Sequence, residues 1–291
     1  MATTYYNCPV LIGESPLDNT YFFVAQQASI EESIPLLPIK SLGQSSVVNT
    51  VAENSLQGTI SISYMLSAGT AGATAYDSVS IAEALSWSTI NSTTPTLLAG
   101  SIGTTKFQNA VLTSFSVDAS AQSVITCSMG LAYYKQSEAL TAGGSSDETL
   151  LDDTSLAYAH GASSTPTATE LALNNNLFSF KLDLSESVTP VKILGDVDPE
   201  MLLKGGGEVT MTWVGNNLPT GLLATDDADT LCITGRTTSF QATSCDGALL
   251  NETVTLPLTS KGKEEAYITS RSIDVSEGNV LNGTAVLTQY Y

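Results

Sequence analysis

Hydrophobic and polar residues alternate along many short stretches of this chain. In the run GTISISYM at 58–65, Ile60, Ile62 and Tyr64 share one side while hydroxyl residues occupy the other. The run GEVTMTW at 207–213 alternates in the same way. A period of two is typical of a β-strand with one buried face. Many such strands, separated by Gly, Asn and Pro, predict a mainly β protein built as an antiparallel sandwich or barrel.

Helical signals are weaker than the strand signals. The run YDSVSIAEALSW at 76–87 has an apolar stripe at helical spacing, and Asp77 or Ser78 is a suitable N-cap. A second helix, of a single turn, is predicted at 198–204, where Pro199 would occupy the first helical position. We therefore expect one short helix in each half of the chain.

Three segments of the sequence recur in the same order, and both series end in a pair of tyrosines. The matched segments are 152, 149 and 156 residues apart, and the tyrosine pairs are 157 residues apart. The matches are PIKSLG (38–43) with PVKILG (190–195), GTISISY (58–64) with GEVTMTW (207–213), TSFSVDAS (113–120) with TSRSIDVS (269–276), and Tyr133 and Tyr134 with Tyr290 and Tyr291. A repeat of about 150 residues is too long for a solenoid unit and predicts two tandem domains of one fold, with one short helix each.

Composition places the boundaries of the two predicted domains. Residues 1–25 lie outside the repeat and are expected to form an N-terminal arm. The first domain is predicted over 26–135 and the second over 173–291. Between them, residues 136–172 are rich in Ser, Thr, Ala, Gly and Asp, which cannot bury enough apolar surface to fold alone. This segment is therefore predicted to be a polar linker or an extended arm.

The chain is strongly acidic. It has ten Lys and Arg against 29 Asp and Glu, for a net charge of −19, although charged residues make up only 13% of the sequence. The basic residues are scattered apart from Lys261 and Lys263, so no cluster is available to hold a phosphate backbone. Tight nucleic-acid binding is not expected, although an acidic surface could let DNA pass without adhering to it. The alternative is that the acidity only confers solubility.

The cysteines show none of the spacings of a metal site or a redox motif. They are Cys8, Cys127, Cys232 and Cys245. Because the chain starts without the basic and apolar segments of a secretory signal, the thiols are expected to be reduced, with Cys8 the candidate for an intermolecular bond. No apolar stretch approaches the ~20 residues that span a bilayer, so no membrane association is expected.

Residues suited to catalysis or metal binding are few. The single histidine, His160, lies in the predicted linker, where an imidazole without a fixed partner is a poor general base. Asp226, Asp227 and Asp229 could offer oxygens to calcium but lack the ordered spacing of a calcium loop. The glycines at 205–207 precede a strand rather than a helix, which favours a tight turn over a phosphate-binding loop. We therefore expect no enzymatic activity, catalytic residue, metal or cofactor.

Two longer stretches resemble the tail tube proteins of tailed bacteriophages. The first is LFSFKLDLSESVTPVKILGDVDPEMLLKGGGEVTMTW (177–213), in which a polar strand leads through a Leu-Gly step to a strand of the form GxVTxxW. The second is the closing strand pair TSRSIDVSEGNVLNGTAVLTQYY (269–291). The first repeat carries weaker versions of both, ASIEESIPLLPIKSLG (28–43) and TSFSVDASAQSVITCSMGLAYY (113–134). The resemblance covers most of both repeats, but neither the N-terminal arm nor the linker.

The resemblance implies a structural virion protein and not an enzyme. Tube domains are antiparallel β-sandwiches or barrels, similar to type VI secretion tube proteins and to domains of baseplate hubs. They join sideways so that their inner sheets form a ring, and stacked rings make a hollow tube through which DNA passes without specific binding. A doubled domain would let three chains form a pseudo-sixfold ring. The implied partners are further copies of the chain, the tail sheath, the baseplate and the tail terminator, in a tail assembled in the host cytoplasm.

Two other functions stay open at this point. A baseplate hub or tail adaptor at the end of the tube can also double the domain, so that a trimer meets a sixfold tube. An adhesin or decoration β-sandwich that binds a surface ligand is the alternative from another class, because Ser- and Thr-rich strands with few charges occur there as well. Long hollow tubes would identify the tube subunit, and single non-stacking trimers would identify the hub.

Overall fold

A computed structural model gives the architecture of the chain. Strands account for most of the residues that it describes, as the alternating pattern predicts. The described residues are 10–14, 20–23, 25–34, 36–40, 42–43, 46–47, 49–52, 57–66, 79–88, 95–103, 105–120, 125–134, 162–168, 177–191, 201–216, 232–233, 236–243, 249–256, 266–274 and 282–291.

The first part of the chain forms strands and, within its described residues, one helix. In chain order these elements are β1 (Val10–Glu14), β2 (Thr20–Phe23), β3 (Ala25–Ser33), β4 (Leu36–Ile39), β5 (Asn49–Ala52), β6 (Gln57–Met65), α1 (Ile81–Ser86), β7 (Leu98–Ile102), β8 (Thr105–Ser120) and β9 (Thr126–Tyr133). The alternation predicted from the sequence is seen in β6, where Ile60, Ile62 and Tyr64 are buried between more exposed hydroxyl residues.

The second part of the chain is described only as strands. They are β10 (Ala162–Ala168), β11 (Leu177–Val191), β12 (Met201–Asn216), β13 (Cys232–Ile233), β14 (Arg236–Thr243), β15 (Leu249–Leu256), β16 (Ala266–Asp274) and β17 (Asn282–Tyr290). Val209, Met211 and Trp213 of β12 are buried, as the alternation in GEVTMTW predicts.

The helix α1 begins later than the sequence led us to expect. Its N-cap is Ser80, whose Oγ accepts a hydrogen bond from the Glu83 amide at 3.1 Å. The pair Ser80 and Glu83 has the spacing of a capping box, in which a Ser is followed three residues later by a Glu. The predicted caps Asp77 and Ser78 are therefore wrong, because neither has a glutamate at that spacing.

The helical turn predicted at 198–204 is also wrong. The residues from Met201 onward belong to β12, and Met201 lies opposite Val191 of β11. Antiparallel pairing with β11 satisfies the backbone groups of this segment, which outweighs the local helical preference that Pro199 suggested. Pro199 itself lies outside the described residues.

The main sheet contains 12 strands, and all of its pairs are antiparallel. Read from one edge to the other, the order is β3–β6–β9–β8–β11–β12–β17–β16–β13. The strands β7, β1 and β2 extend in that order from another part of β8. Two smaller sheets consist of β10–β14–β15 and of β4–β5. The predicted mainly β, antiparallel class is confirmed.

The long strand β8 is the place where the two halves of the chain meet. One edge of β8 pairs with β9. The other edge pairs with β7 as far as Ala110 and then with β11 over Ser114–Ser120. Asn109 has a φ of 55° beside this change of partner, within the register shift of the β7–β8 pair. Asn is one of the few residues that adopts this left-handed conformation readily.

A single apolar core lies beneath both halves of the sheet. One row of opposed residues crosses it from β6 to β12, and each member is at most 2% exposed. The row consists of Ile62, Met129, Phe115, Leu184 and Val209. The helix α1 adds buried residues to the same core, and the Tyr64 hydroxyl donates to the Val79 carbonyl just before it, at 3.2 Å.

Parts of the predicted arm and linker belong to sheets. In the N-terminal 25 residues, β1 pairs with β7, and Val10 and Ile12 are buried. Within 136–172, β10 pairs with β14 of the second half. The remainder of that segment lies outside the described residues. The division into two domains, 26–135 and 173–291, stays a prediction.

Candidate functional surface

The solvent-facing side of the main sheet is lined by short hydroxyl side chains. This hydroxyl face extends over β3, β6, β9, β8, β11 and β12, on the side opposite the core. One row of opposed residues consists of Ser29, Ser61, Gly130, Ser114, Ser185 and Glu208. The next row consists of Gln27, Ser63, Ser128, Ser116, Asp183 and Thr210.

The hydroxyl face forms an open depression. A cavity of about 500 Å³ is lined by seven of these serines, and among the described residues that line it Asp183 is the charged one. Serine is a nucleophile only when a base activates it, and the sequence's single histidine, His160, lies outside the described residues. The surface offers many short hydrogen-bonding groups, which can bind water.

Few charges lie on the hydroxyl face, and they partly compensate one another. Lys181 Nζ lies 2.8 Å from Asp183 Oδ2, and both side chains are about half exposed. Asp118 is opposite Lys181 in the β8–β11 pair. Exposed ion pairs contribute at most about 1 kcal/mol. Glu31 and Glu208 lie on the same side, so in the described part of the chain this face is hydroxyl-rich with a small excess of acidic residues.

A contact between a tyrosine, a glutamate and a glycine occurs twice in the sheet. The Tyr133 hydroxyl donates to Glu32 Oε1, across the intervening strand β6. The Tyr291 hydroxyl donates to Glu186 Oε2 at 3.1 Å, across β12. In each case the ring lies against a glycine of the central strand, Gly58 or Gly207, where a Cβ would collide with the ring. We call these contacts the first and second tyrosine latch.

Both latch tyrosines are held in the neutral form. Burial is the main cause that raises the pKa of the Tyr133 phenol, and the hydrogen bond to Glu32 and its negative charge raise it further. Burial also raises the pKa of Tyr291, and the charge of Glu186 is the next contribution. A phenolate beside a carboxylate would face both like charge and lost hydration.

The latches correct one match of the sequence repeat. Tyr133 lies opposite Gly58, while Gly207 exchanges backbone hydrogen bonds with Tyr291. Tyr133 therefore corresponds in space to Tyr291, not to Tyr290 as the sequence match has it. The reason is that the register between β12 and β17 is shifted by one residue from the sequence match, so that Tyr291 rather than Tyr290 lies opposite Gly207.

The hairpin of β4 and β5 exposes a group of large apolar side chains. Their exposed fractions lie between 43% and 106%. They are Ile34, Leu36, Leu37, Ile39, Leu42 and Val47. Contiguous apolar groups of this kind mark contact sites in soluble proteins. The hairpin includes the first-repeat motif PIKSLG, and in the second repeat the β11–β12 hairpin exposes Leu203 by 47%.

Several residues considered from the sequence can now be placed. Gly205, Gly206 and Gly207 lie within β12 beside a register shift of the β11–β12 pair, and Gly206 has a φ of +97°. Cys127 is a buried cysteine in β9, as expected of a small core residue. Cys8 and Cys245 lie outside the described residues.

Other candidate sites lie beyond the described part of the chain. The aspartates at 226, 227 and 229 are outside it. The described residues contain no group of three His, Cys, Asp or Glu that could hold a metal. No helix among them is long and apolar enough to cross a membrane. The sequence signal that could have located the hydroxyl face was the Ser and Thr on the polar side of each strand.

Comparisons with protein-family models and with curated proteins found no match for this chain.

Proposed function

We propose that this chain is a phage tail tube subunit with two tandem tube-type β-sandwich domains. Three chains form a pseudo-sixfold ring, and the rings stack into a hollow tube through which DNA leaves the virion. The sequence motifs quoted above motivate the proposal. The way in which the strands are joined supports it.

One observation carries the proposal: the strand order of the first repeat occurs again in the second. The first repeat pairs its strands in the order β3–β6–β9–β8, and the second in the order β11–β12–β17–β16. The last strand of the first set, β8, pairs with the first strand of the second set, β11. This repeated strand order within one sheet supports two equivalent units, and further copies in a ring would continue the same pairing.

The hydroxyl face is the surface that we assign to the inside of the tube. A channel for DNA must not hold the phosphate backbone, and such binding requires clustered Lys and Arg. Lys181 pairs with Asp183, and Glu31, Asp118 and Glu208 add negative charge to the same side. Short hydroxyls keep the surface hydrated without long side chains that would obstruct the passage.

The apolar β4–β5 hairpin is the element that we assign to contacts between stacked rings. Its apolar residues are exposed in the single chain. Burying them against the next ring would stabilise the stack by about 25 cal/mol for each Å² of apolar surface removed from water. This gain would come only on assembly, which suits a protein that must fold first and stack afterwards.

Electron microscopy of the purified full-length chain tests the proposal. We expect hollow tubes whose rings contain three chains and six similar domains. Six chains per ring would contradict the two-domain interpretation. Single trimers that never stack would favour the hub or adaptor. A monomer that persists at all concentrations would refute both and leave the adhesin.

A further inference from the structure

We infer that copies of this chain join through β16 of one copy and β3 of the next, in a register that places Arg271 opposite Ile30 and diagonal to Glu32. The inference rests on the proposed ring. It names the two strands that join neighbouring chains and the charge pair that selects them.

The junction inside the chain provides the template. Seven residues of β8 lie opposite seven of β11, from Ser114 opposite Ser185 to Ser120 opposite Ser179. On the core side of this junction Phe115 faces Leu184, and both side chains are at most 2% exposed. The chain thus joins its two halves with a continuous ladder and an apolar contact.

The same two kinds of strand edge are open at opposite ends of the sheet. Within the described part of the chain, β3 pairs with β6 alone, so one of its edges carries no strand. Among the described strands, β13 is the one that pairs with this edge of β16, and it covers Ala266 and Tyr267. The corresponding edge of β8 is arranged in the same way: β7 pairs with it as far as Ala110, and β11 pairs with the part that follows. By this correspondence, β16 can accept a strand of the β11 type, and β3 is that strand.

The register is taken from two matches, each on a strand that takes part in the junction. Thr113 and Thr269 are the extra residues at corresponding register shifts, and each Oγ1 donates across the pair to a carbonyl, that of Gly130 or of Val286. Thr269 therefore corresponds to Thr113, which is 156 residues earlier in the sequence.

The tyrosine latches supply the second match. Glu32 lies opposite Gly58, and Glu186 lies opposite Gly207, so the two glutamates correspond at a separation of 154 residues. In the internal junction Ser114 lies opposite Ser185. Ser270 is 156 residues after Ser114, and Glu31 is 154 residues before Ser185, so Ser270 and Glu31 are opposite each other in the new junction. Arg271 is then opposite Ile30.

The residues at the new junction differ from those of the internal one in charge. Arg271 takes the place of Phe115, and Ile30 takes the place of Leu184. Glu32 stands two residues from Ile30 on the same strand face, and diagonal neighbours about 7–8 Å apart are within reach of long side chains. The Tyr133 hydroxyl holds the Glu32 carboxylate at this edge. An acid on one edge thus meets a base on the other.

This arrangement makes a second copy of the chain the occupant of the open edge. Glu31 and Glu32 are both exposed on β3. Charged residues on an edge strand oppose pairing with an arbitrary strand. A partner strand with a base at the matching position removes that obstacle, and β16 carries Arg271 there. The edge is therefore selective for its own sequence.

Disulfide cross-linking tests the register directly. Ser29 and Ser272 are both exposed and would be directly opposite across the junction. Opposed Cα atoms in an antiparallel pair are about 4.5–5.5 Å apart, which a disulfide spans. Mixing Ser29→Cys chains with Ser272→Cys chains under mild oxidation should give covalent heterodimers. Mixing Ser29→Cys with Ser270→Cys, two residues away, is the matched control and should give far fewer. Equal yields in both mixtures would overturn the register.

Charge reversal tests the selectivity. Glu32→Lys and Arg271→Glu should each raise the protein concentration at which rings form, and the double variant should lower it again. Glu32→Gln, with thermal unfolding of every variant, controls for loss of the tyrosine latch. Assembly of both single variants at the wild-type concentration would overturn the inference. If the wild-type chain forms no ring at all, the proposed function fails instead, so the two failures are distinguishable.

Discussion

At the scale of single residues, the two tyrosine latches differ in how deeply their carboxylates lie. Glu186 is 8% exposed, whereas Glu32 is exposed on the edge strand β3. Removing the Tyr291 hydroxyl leaves a buried carboxylate with one fewer hydrogen bond, while Glu32 can be hydrated instead. Tyr291→Phe should therefore lower the free energy of unfolding by about 1–3 kcal/mol, and Tyr133→Phe by about 1 kcal/mol or less. Urea unfolding of both variants measures the difference, and equal losses would contradict the role of carboxylate burial.

The latches also predict how stability depends on alkaline pH. In the folded chain the pKa of Tyr133 and of Tyr291 is raised above the ordinary tyrosine pKa of about 10. A group whose pKa is higher in the folded state contributes its full stability below the unfolded pKa and loses it as pH rises beyond that value. Stability should thus decline from about pH 10 upward. Urea titrations at pH 8 and at higher pH should show a smaller decline for the Tyr133→Phe, Tyr291→Phe double variant. An unchanged slope would contradict the assignment.

At the scale of elements, the sequence located the strands because alternation reports burial directly. Every apolar member of GTISISY and GEVTMTW is buried, as the period of two requires. The segment 198–204 was misjudged because a local signal, Pro199, competes with long-range pairing that the sequence does not display. The exposure of the apolar run SIPLLPIK at 33–40 could not be predicted, because a buried and an exposed apolar strand have the same residue composition.

The exposed β4–β5 hairpin makes a prediction at this scale. Changing Leu36 and Leu37 to Ser should leave the fold intact, since both side chains are more than half exposed and surface changes usually cost under about 0.5 kcal/mol. It should reduce stacking, because the apolar surface that rings would share is lost. Sedimentation and electron microscopy should show isolated rings in place of tubes. The matched control is Leu203→Ser on the second-repeat hairpin, and unchanged tubes in the Leu36 and Leu37 variant would contradict the assignment.

At the scale of the whole molecule, the repeat was visible in the sequence, but the way its copies join was not. Matched segments gave separations between 149 and 157 residues, while the spatial match of Tyr133 with Tyr291 needs 158. The sequence match aligns the tyrosine pairs and so equates Tyr133 with Tyr290. In the structure, the tyrosine that packs on Gly207, as Tyr133 packs on Gly58, is Tyr291. The β8–β11 junction joins residues 59 to 71 apart in the sequence, from Ser120 opposite Ser179 to Ser114 opposite Ser185, and no local pattern predicts such a pairing. The single sheet through both repeats is therefore a property that only the fold displays.

The net charge of −19 gives the last prediction, which concerns assembly as a whole. Each added chain brings like charge to the particle, and this repulsion acts over the Debye length, about 30 Å at 0.01 M salt and about 10 Å at 0.1 M. The proposed pair of Glu32 and Arg271 is a contact interaction, which salt screens less than repulsion between distant surfaces. Assembly should therefore begin at a lower protein concentration in about 0.1–0.2 M salt than in 0.01 M, as light scattering would show. If salt instead raised that concentration throughout, attraction between opposite charges would dominate, and repulsion between acidic chains would not be what limits assembly.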